Sequence, residues 1–166
     1  MKLASTRAIV RALNESRVRF IVAGGLAVNA HGFLRFTKDI DLILQLDALN
    51  LRSAFGALSA LGYRPMVPVT AEQFGDRELR SILIREKGMR VLQFWSDEHR
   101  ETPVDVFVDE PFSFDEEYAR AFVKELADAG PVHFVALATL IEMKEAAGRE
   151  QDRIDVEHLR LLLEGS

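Results

Sequence analysis

Residues 18–44, VRFIVAGGLAVNAHGFLRFTKDIDLIL, decide how the rest of the chain is read. An apolar run from Phe20 to Ala23 ends in the pair Gly24-Gly25, a short segment of small residues follows, and a second apolar run carries Asp39 and Asp41 two positions apart. Side chains alternate faces along a strand, so these two carboxylates point the same way, about 7 Å apart along the backbone. Like charges on one face of a half-buried strand repel each other and lose hydration, unless a cation sits between them. The pair therefore points to a divalent metal. Asp76/Glu78, Asp115/Glu117, Glu150/Asp152 and Asp155/Glu157 share the spacing, but only Asp39/Asp41 lies inside an apolar strand.

Upstream of that pair, Gly24-Gly25 reads as a tight strand-to-helix turn. Without a Cβ in the way, its amides can approach a phosphate at a helix N-terminus. The helix is expected over 26–31 and stops at Gly32, and 33–38 crosses over to the strand 40–44. A glycine turn for phosphate beside carboxylates for metal is the arrangement a metal-nucleotide needs. Arg35 and Lys38 lead into the metal strand, either as solvated charges or as partners of phosphate oxygens.

Composition sets the outer limits. The 166 residues are expected to form one domain, with a core over 5–110 and a C-terminal hairpin and helices over 114–164; a 48% apolar fraction can fill such a core. With 21 basic and 26 acidic residues the net charge is −5, which argues against a broad electrostatic grip on nucleic acid. There is no cysteine, so disulfides, thiolate zinc sites and a cysteine nucleophile are excluded, and a catalytic metal must use oxygen or histidine ligands. The four histidines have no ligand spacing and receive no role. The first sixteen residues are charged and amphipathic rather than of signal-peptide type, and no run of eighteen apolar residues occurs, so a soluble, cytoplasmic protein is expected.

Outward from the central stretch, Ser5 is expected to cap a first helix carrying Ala8, Ile9, Ala12 and Leu13 at helical spacing. Residues 49–61 form an amphipathic helix closed by Gly62, and 63–75 a loop with one helical turn around Glu72. Residues 79–84 and 91–95 are read as a hairpin turning at Arg85-Glu86-Lys87-Gly88. Residues 104–108 alternate cleanly, with Val104, Val106 and Val108 on one face and Asp105, Phe107 and Asp109 on the other, giving a third acid-bearing strand that a two-metal site requires. Residues 114–120 are helical, whereas 122–129 fit either a continued helix or a strand. Residues 137–147 form a helix ending at Gly148. The last helix, over 152–163, offers Ile154, Val156, Leu159 and Leu162 for packing, and Lys144, Arg149 and Asp152 read as ion pairs on a helix-turn-helix surface.

Gly24-Gly25 followed by Asp39-Ile40-Asp41 resembles the nucleotidyltransferases of the DNA polymerase beta type. Arg35, Thr37, Asp39 and Asp41 match the Arg-x-Thr-x-Asp-x-Asp pattern common in the minimal and abortive-infection (AbiEii) toxin-like branch, and 140–159, LIEMKEAAGREQDRIDVEHL, is similar to that branch's segment with Lys144, Arg149 and Asp152. The likeness implies an α+β fold, a mixed β-sheet flanked by helices with a C-terminal helical pair, and it favours the hairpin reading of 122–135. It also implies a reaction: two Mg2+ ions, or Mn2+, held by Asp39, Asp41 and Asp105, orient a nucleoside triphosphate for attack at its α-phosphate. Asp109 is the fallback for the third carboxylate. The implied nucleotide-binding set is Gly24, Gly25, Arg35, Thr37, Lys38 and Lys144.

The acceptor hydroxyl is left open among RNA, a protein and an aminoglycoside-like small molecule. Arg77, Arg80, Arg85, Lys87 and Arg90 would offer a basic surface to RNA, whereas Asp97, Glu98 and Glu101 would offer acids to a cationic acceptor. A homodimer or a second chain completing the cleft would account for the short length. The competing function is a non-catalytic nucleotide-binding or partner-binding domain of a toxin-antitoxin type system.

Overall fold

The computed structural model describes residues 1–166. In chain order the elements are α1 (Leu3–Glu15), β1 (Phe20–Ala23), α2 (Gly24–His31), β2 (Ile40–Leu44), α3 (Ala48–Ala60), β3 (Arg64–Pro65), α4 (Ala71–Gly75), α5 (Arg77–Lys87), β4 (Val91–Trp95), β5 (Val104–Phe107), α6 (Phe114–Arg120), β6 (Phe122–Leu126), β7 (Gly130–Phe134), α7 (Leu137–Ala147) and α8 (Glu150–Glu164). The strands form one mixed sheet in the order β3-β4-β5-β2-β1-β7-β6. β2 runs antiparallel to β1 and parallel to β5, while β7 runs parallel to β1. An apolar cluster extending from Ile9 to Leu159 binds sheet and helices together.

Why β2 lies near the middle follows from its composition. Ile40, Leu42, Ile43 and Leu44 are all almost fully buried, as expected for a strand covered on both faces. β6 is the opposite case, an edge strand with Phe122 and Val123 exposed, and it pairs with β7 as the hairpin that the resemblance implied. No helix is long and apolar enough to cross a membrane.

Three local expectations are corrected. The segment read as a hairpin at 79–95 is instead helix α5 followed by β4, and β4 pairs with β3 and β5. Asp76 accepts hydrogen bonds from the amides of Glu78 and Leu79, which starts the helix, and Gly88 at φ 59° ends it. The glycine read as a hairpin turn is thus a helix C-cap, and Leu79, Ile82 and Leu83 follow helical rather than strand spacing. Ser5 is not the cap of α1: the helix starts at Leu3, and Ser5 is buried within it with its hydroxyl 2.9 Å from His99 Nδ1. Finally, α8 does not bury the residues expected of it. Leu159 is buried, but Ile154 and Leu162 are exposed, and the positions facing inward are Asp152 and Asp155.

Candidate active site

Register does the first part of the assembly. On the parallel pair β2/β5, Asp41 stands directly beside Asp105, and across the antiparallel pair β4/β5, Asp105 stands beside Gln93. Neighbouring strands lie about 5 Å apart, so the Asp41 and Asp105 carboxylates sit side by side on one face. The other face of the same strands carries Ile40, Leu42, Val104 and Val106, all buried in the core. Asp39 immediately precedes β2 and opens onto the same cleft. Asp109 does not join them: it is exposed beyond the end of β5, near Arg80.

The glycine turn closes against this acidic row. β1 passes into α2 without an intervening loop, and Gly24 has φ 62°, a backbone conformation that glycine adopts without a Cβ penalty. A Cβ at Gly24 would fall on the Asp41 carboxylate, so turn and acid are in direct apposition. At Gly25 a Cβ would stand 2.6 Å from Thr37 Oγ1 and 3.0 Å from Arg35 Nη1. The crossover 33–38 is therefore packed onto the start of α2, with Arg35 and Thr37 turned toward Gly25 and Leu34 and Phe36 left exposed. The unpaired amides at the start of α2 and its dipole make this a favourable place for a phosphate oxygen.

These parts line a cleft of about 550 Å³. Gly24, Gly25, Arg35, Thr37, Lys38, Asp39, Asp41, Asp105 and Lys144 all lie on its wall, so the structure brings together the metal and nucleotide-binding candidates, the fallback Asp109 excepted. α7 and α8 supply the opposite wall through Met143, Lys144, Arg149, Gln151 and Asp152. The acids nominated for a cationic acceptor are elsewhere: Asp97 pairs with Arg64 and Arg100, Glu101 pairs with Lys2, and neither they nor Glu98 reach the cleft. The basic residues of α5 do not line it either.

Charge is distributed unevenly around the cleft. Burial, reinforced by the nearby charges of Asp39 and Asp105, pushes the Asp41 carboxyl up to about 7, with Lys144 and Arg149 pulling the other way. Asp105 is also raised, by burial and by Asp39, although Gln93 Nε2 donates a 3.0 Å hydrogen bond to its Oδ1. Neither carboxylate has an ion-pair partner within 4 Å. The helical wall is balanced instead. Lys144, which is buried rather than a surface cation, donates to Asp152 Oδ1 and Asp155 Oδ2, both at 2.9 Å. Arg35 grips Asp155 with two bonds, Nε to Oδ1 at 2.7 Å and Nη2 to Oδ2 at 2.8 Å, and Arg149 Nε donates to Asp152 Oδ2 at 2.8 Å. Burial alone would raise both acids, but these hydrogen bonds and charges outweigh it and hold Asp152 and Asp155 below the usual carboxylate range.

Asp155 and Gln93 are the residues that sequence reasoning missed. The signal for Asp155 lay in the pattern of α8, where positions 152, 155 and 159 fall on one helical face; two acids at core spacing imply cations waiting opposite.

The donor set suits a hard divalent cation: Asp41 and Asp105 in register, Asp39 two residues before Asp41, and no soft ligand. No three acid or histidine side chains converge tightly enough to form a closed cage. Mg2+ commonly binds through one or two carboxylates and completes its shell with water and substrate phosphates, so an open acidic row facing a phosphate turn fits such an ion.

The chain's overall architecture matches solved enzymes with this arrangement of strands and helices. A lincomycin-bound lincosamide antibiotic adenylyltransferase, LnuA, superposes with a TM-score of 0.57 at 13% identity, covering 90% of each chain. The antibiotic-resistance factor ANT(2'')-Ia superposes in its solution structure with a TM-score of 0.58 at 14% identity, over 98% of this chain and 83% of the other. Its crystal structure in complex with adenylyl-2''-tobramycin gives 0.56 at 15% identity, over 95% and 86%. The chain has a nucleotidyltransferase fold. No protein-family model matches it, and no curated protein matches it in sequence.

Proposed function

We propose that this protein is a metal-dependent nucleotidyltransferase that moves a nucleoside monophosphate from a nucleoside triphosphate to an acceptor hydroxyl. The observation that carries this reading is the apposition of Asp41 and Asp105, side by side in register, with the Gly24-Gly25 turn. The fold neighbours named for adenylyl transfer to antibiotics support adenosine triphosphate as donor and a small molecule as acceptor. The spacing of Arg35, Thr37, Asp39 and Asp41 supports placing the chain near the abortive-infection branch.

Each part of the cleft then has a task. Asp39, Asp41 and Asp105 would hold two Mg2+ ions, which neutralise phosphate charge and lower the pKa of the attacking hydroxyl. The amides at Gly24 and Gly25 receive phosphate oxygens at the start of α2, and Arg35, Thr37, Lys38 and Lys144 add side-chain donors. As the acceptor oxygen bonds to the α-phosphorus, its proton passes to Asp105 and the bond to pyrophosphate breaks. Asp105 suits the role because burial raises its carboxyl above the ordinary carboxylate range and only Oδ1 is engaged by Gln93.

The test needs no acceptor. Thermal unfolding with Mg2+ and each of the four nucleoside triphosphates is compared between wild type and Asp39→Asn/Asp41→Asn. At a hundredfold excess over Kd, ligand binding stabilises by about 2.7 kcal/mol. A Mg2+-dependent shift, largest with one nucleotide and absent in the double variant, is expected. No shift with any nucleotide would overturn the enzyme reading in favour of a partner-binding module.

A further inference from the structure

Asp155 belongs to neither the metal row nor the glycine turn, and its side chain is completely buried. It nonetheless touches two of the cations that line the cleft, Arg35 and Lys144. One carboxylate binds Arg35 through Nε and Nη2, and the same group receives Lys144 Nζ. Gln151 Nε2 adds a further bond to Oδ1 at 3.0 Å. Arg35 is fixed on its other side by Nη1 donating to the Phe36 carbonyl. The result is a guanidinium held with Nη1 beside the space above Gly25, and an ammonium held near enough to Asp41 to lower its pKa.

Counting donors shows what is left over. A guanidinium carries five N–H bonds and an ammonium three. Three of the Arg35 donors and two of the Lys144 donors are used by Asp155, Asp152 and Phe36. Two N–H groups on Arg35 and one on Lys144 remain for a ligand. The cations are thus aimed without being saturated.

We propose that Asp155 is a positioning residue for the triphosphate: by gripping both cations from within α8, it fixes the free donors of Arg35 over the Gly25 turn and holds Lys144 on the wall of the same cleft. This rests on the nucleotide-binding reading of the cleft and deepens it. Positioning and simple charge predict opposite signs. Removing a carboxylate from beside two cations makes the cleft more positive, so charge alone would tighten the binding of a polyanion. Releasing Arg35, and leaving Lys144 held by Asp152 alone, removes their prepaid alignment and weakens it.

The experiment titrates wild type, Asp155→Asn, Arg35→Lys and the double variant with the magnesium complex of inorganic tripolyphosphate, followed by calorimetry, with Tm recorded for each protein. Asp155→Asn is expected to bind about tenfold more weakly, and combining it with Arg35→Lys should add little, because both changes undo the same contact. Arg35→Lys keeps the charge but not the paired geometry, so it should weaken binding likewise, and it carries the test if Asp155→Asn does not fold. A folded Asp155→Asn that binds as tightly as wild type or tighter, or a double variant whose losses add fully, would overturn the positioning role and leave the nucleotide site standing. Wild type that fails to bind tripolyphosphate would overturn both.

Discussion

Two groups of acids share the walls of one cleft and are held in opposite states. On the sheet, Asp41 and Asp105 are half-buried beside one another and their carboxyls are raised, Asp41 to about 7. On α8, Asp152 and Asp155 are more deeply buried, and their carboxyls are lowered. Burial by itself does not decide the state of a carboxylate; the neighbours do. The chain provides Arg35, Lys144 and Arg149 to the helical acids and no comparable partner to the strand acids. The strand acids are consequently the pair without a cation of their own, while the helical acids are paired with cations the protein already has.

The strongest way to break this contrast is Asp41→Asn. In the proposed reaction it should reduce nucleotide transfer by three orders of magnitude or more, about 4 kcal/mol in barrier. Without metal it should stabilise the fold, because a repelled charge is removed. The sign depends on pH. A carboxyl whose folded pKa lies above its unfolded value costs nothing at low pH and destabilises progressively as pH rises from about 4 to about 7. The gain in Asp41→Asn should therefore be small at pH 5 and reach roughly 1–3 kcal/mol by pH 8, after allowance for solvent screening of a half-buried group. Denaturant unfolding in EDTA at the two pH values measures it, and equal gains at both would contradict the repulsion account.

Lys144→Met probes the other group. It leaves Asp152 and Asp155 buried without their shared ammonium, and breaking such a pair on one side costs about 3–5 kcal/mol. Here the pH dependence reverses. Acids whose folded pKa is depressed contribute stability above the unfolded value, near pH 4, and lose it as pH falls through the folded one. Chemical denaturation should thus show the largest penalty at neutral pH and a shrinking one below pH 4. A penalty independent of pH would mean that Lys144 contributes packing alone.

A smaller effect, about 2 kcal/mol, is expected from Gly24→Ala, which forces a Cβ into a left-handed backbone and onto the Asp41 carboxylate. The Asp41→Asn background sharpens it: an amide cannot relieve the overlap, so the cost should persist there. Thermal unfolding of both single variants and the double variant checks this.

The contrast also explains which parts were legible in the sequence. Asp39, Asp41 and Asp105 interrupt apolar strands, so local pattern exposes them, and Gly24-Gly25 marks the turn that meets them. Asp155 was hidden because its justification lies 120 residues away in Arg35. Pattern reading expects α8 to bury Ile154 and Leu162, since it scores apolar residues as inward and cannot see Arg35 and Lys144 converging from other elements. The misread segment before β4 has a different cause. The run Ile82-Leu83-Ile84 taken alone suits a strand, and the helix shows only when it is joined to Leu79, to the capping contact at Asp76 and to the αL glycine at 88.

The smallest predicted effect separates the two candidates for the third carboxylate. Spacing along β5 puts Asp105 and Asp109 on one face, and alternation cannot distinguish them. Partners in register can: Asp105 stands between Asp41 and Gln93, whereas Asp109 lies past the last paired residue, exposed to solvent. Asp109→Asn should change stability by less than about 0.5 kcal/mol, as at other exposed positions, and leave transfer within twofold. Asp105→Asn should lose transfer while keeping its hydrogen-bonding contact with Gln93. Single-turnover rates for both variants with the preferred nucleotide check this, and a reversed ranking would contradict the role assigned to the acid that stands in register with Asp41.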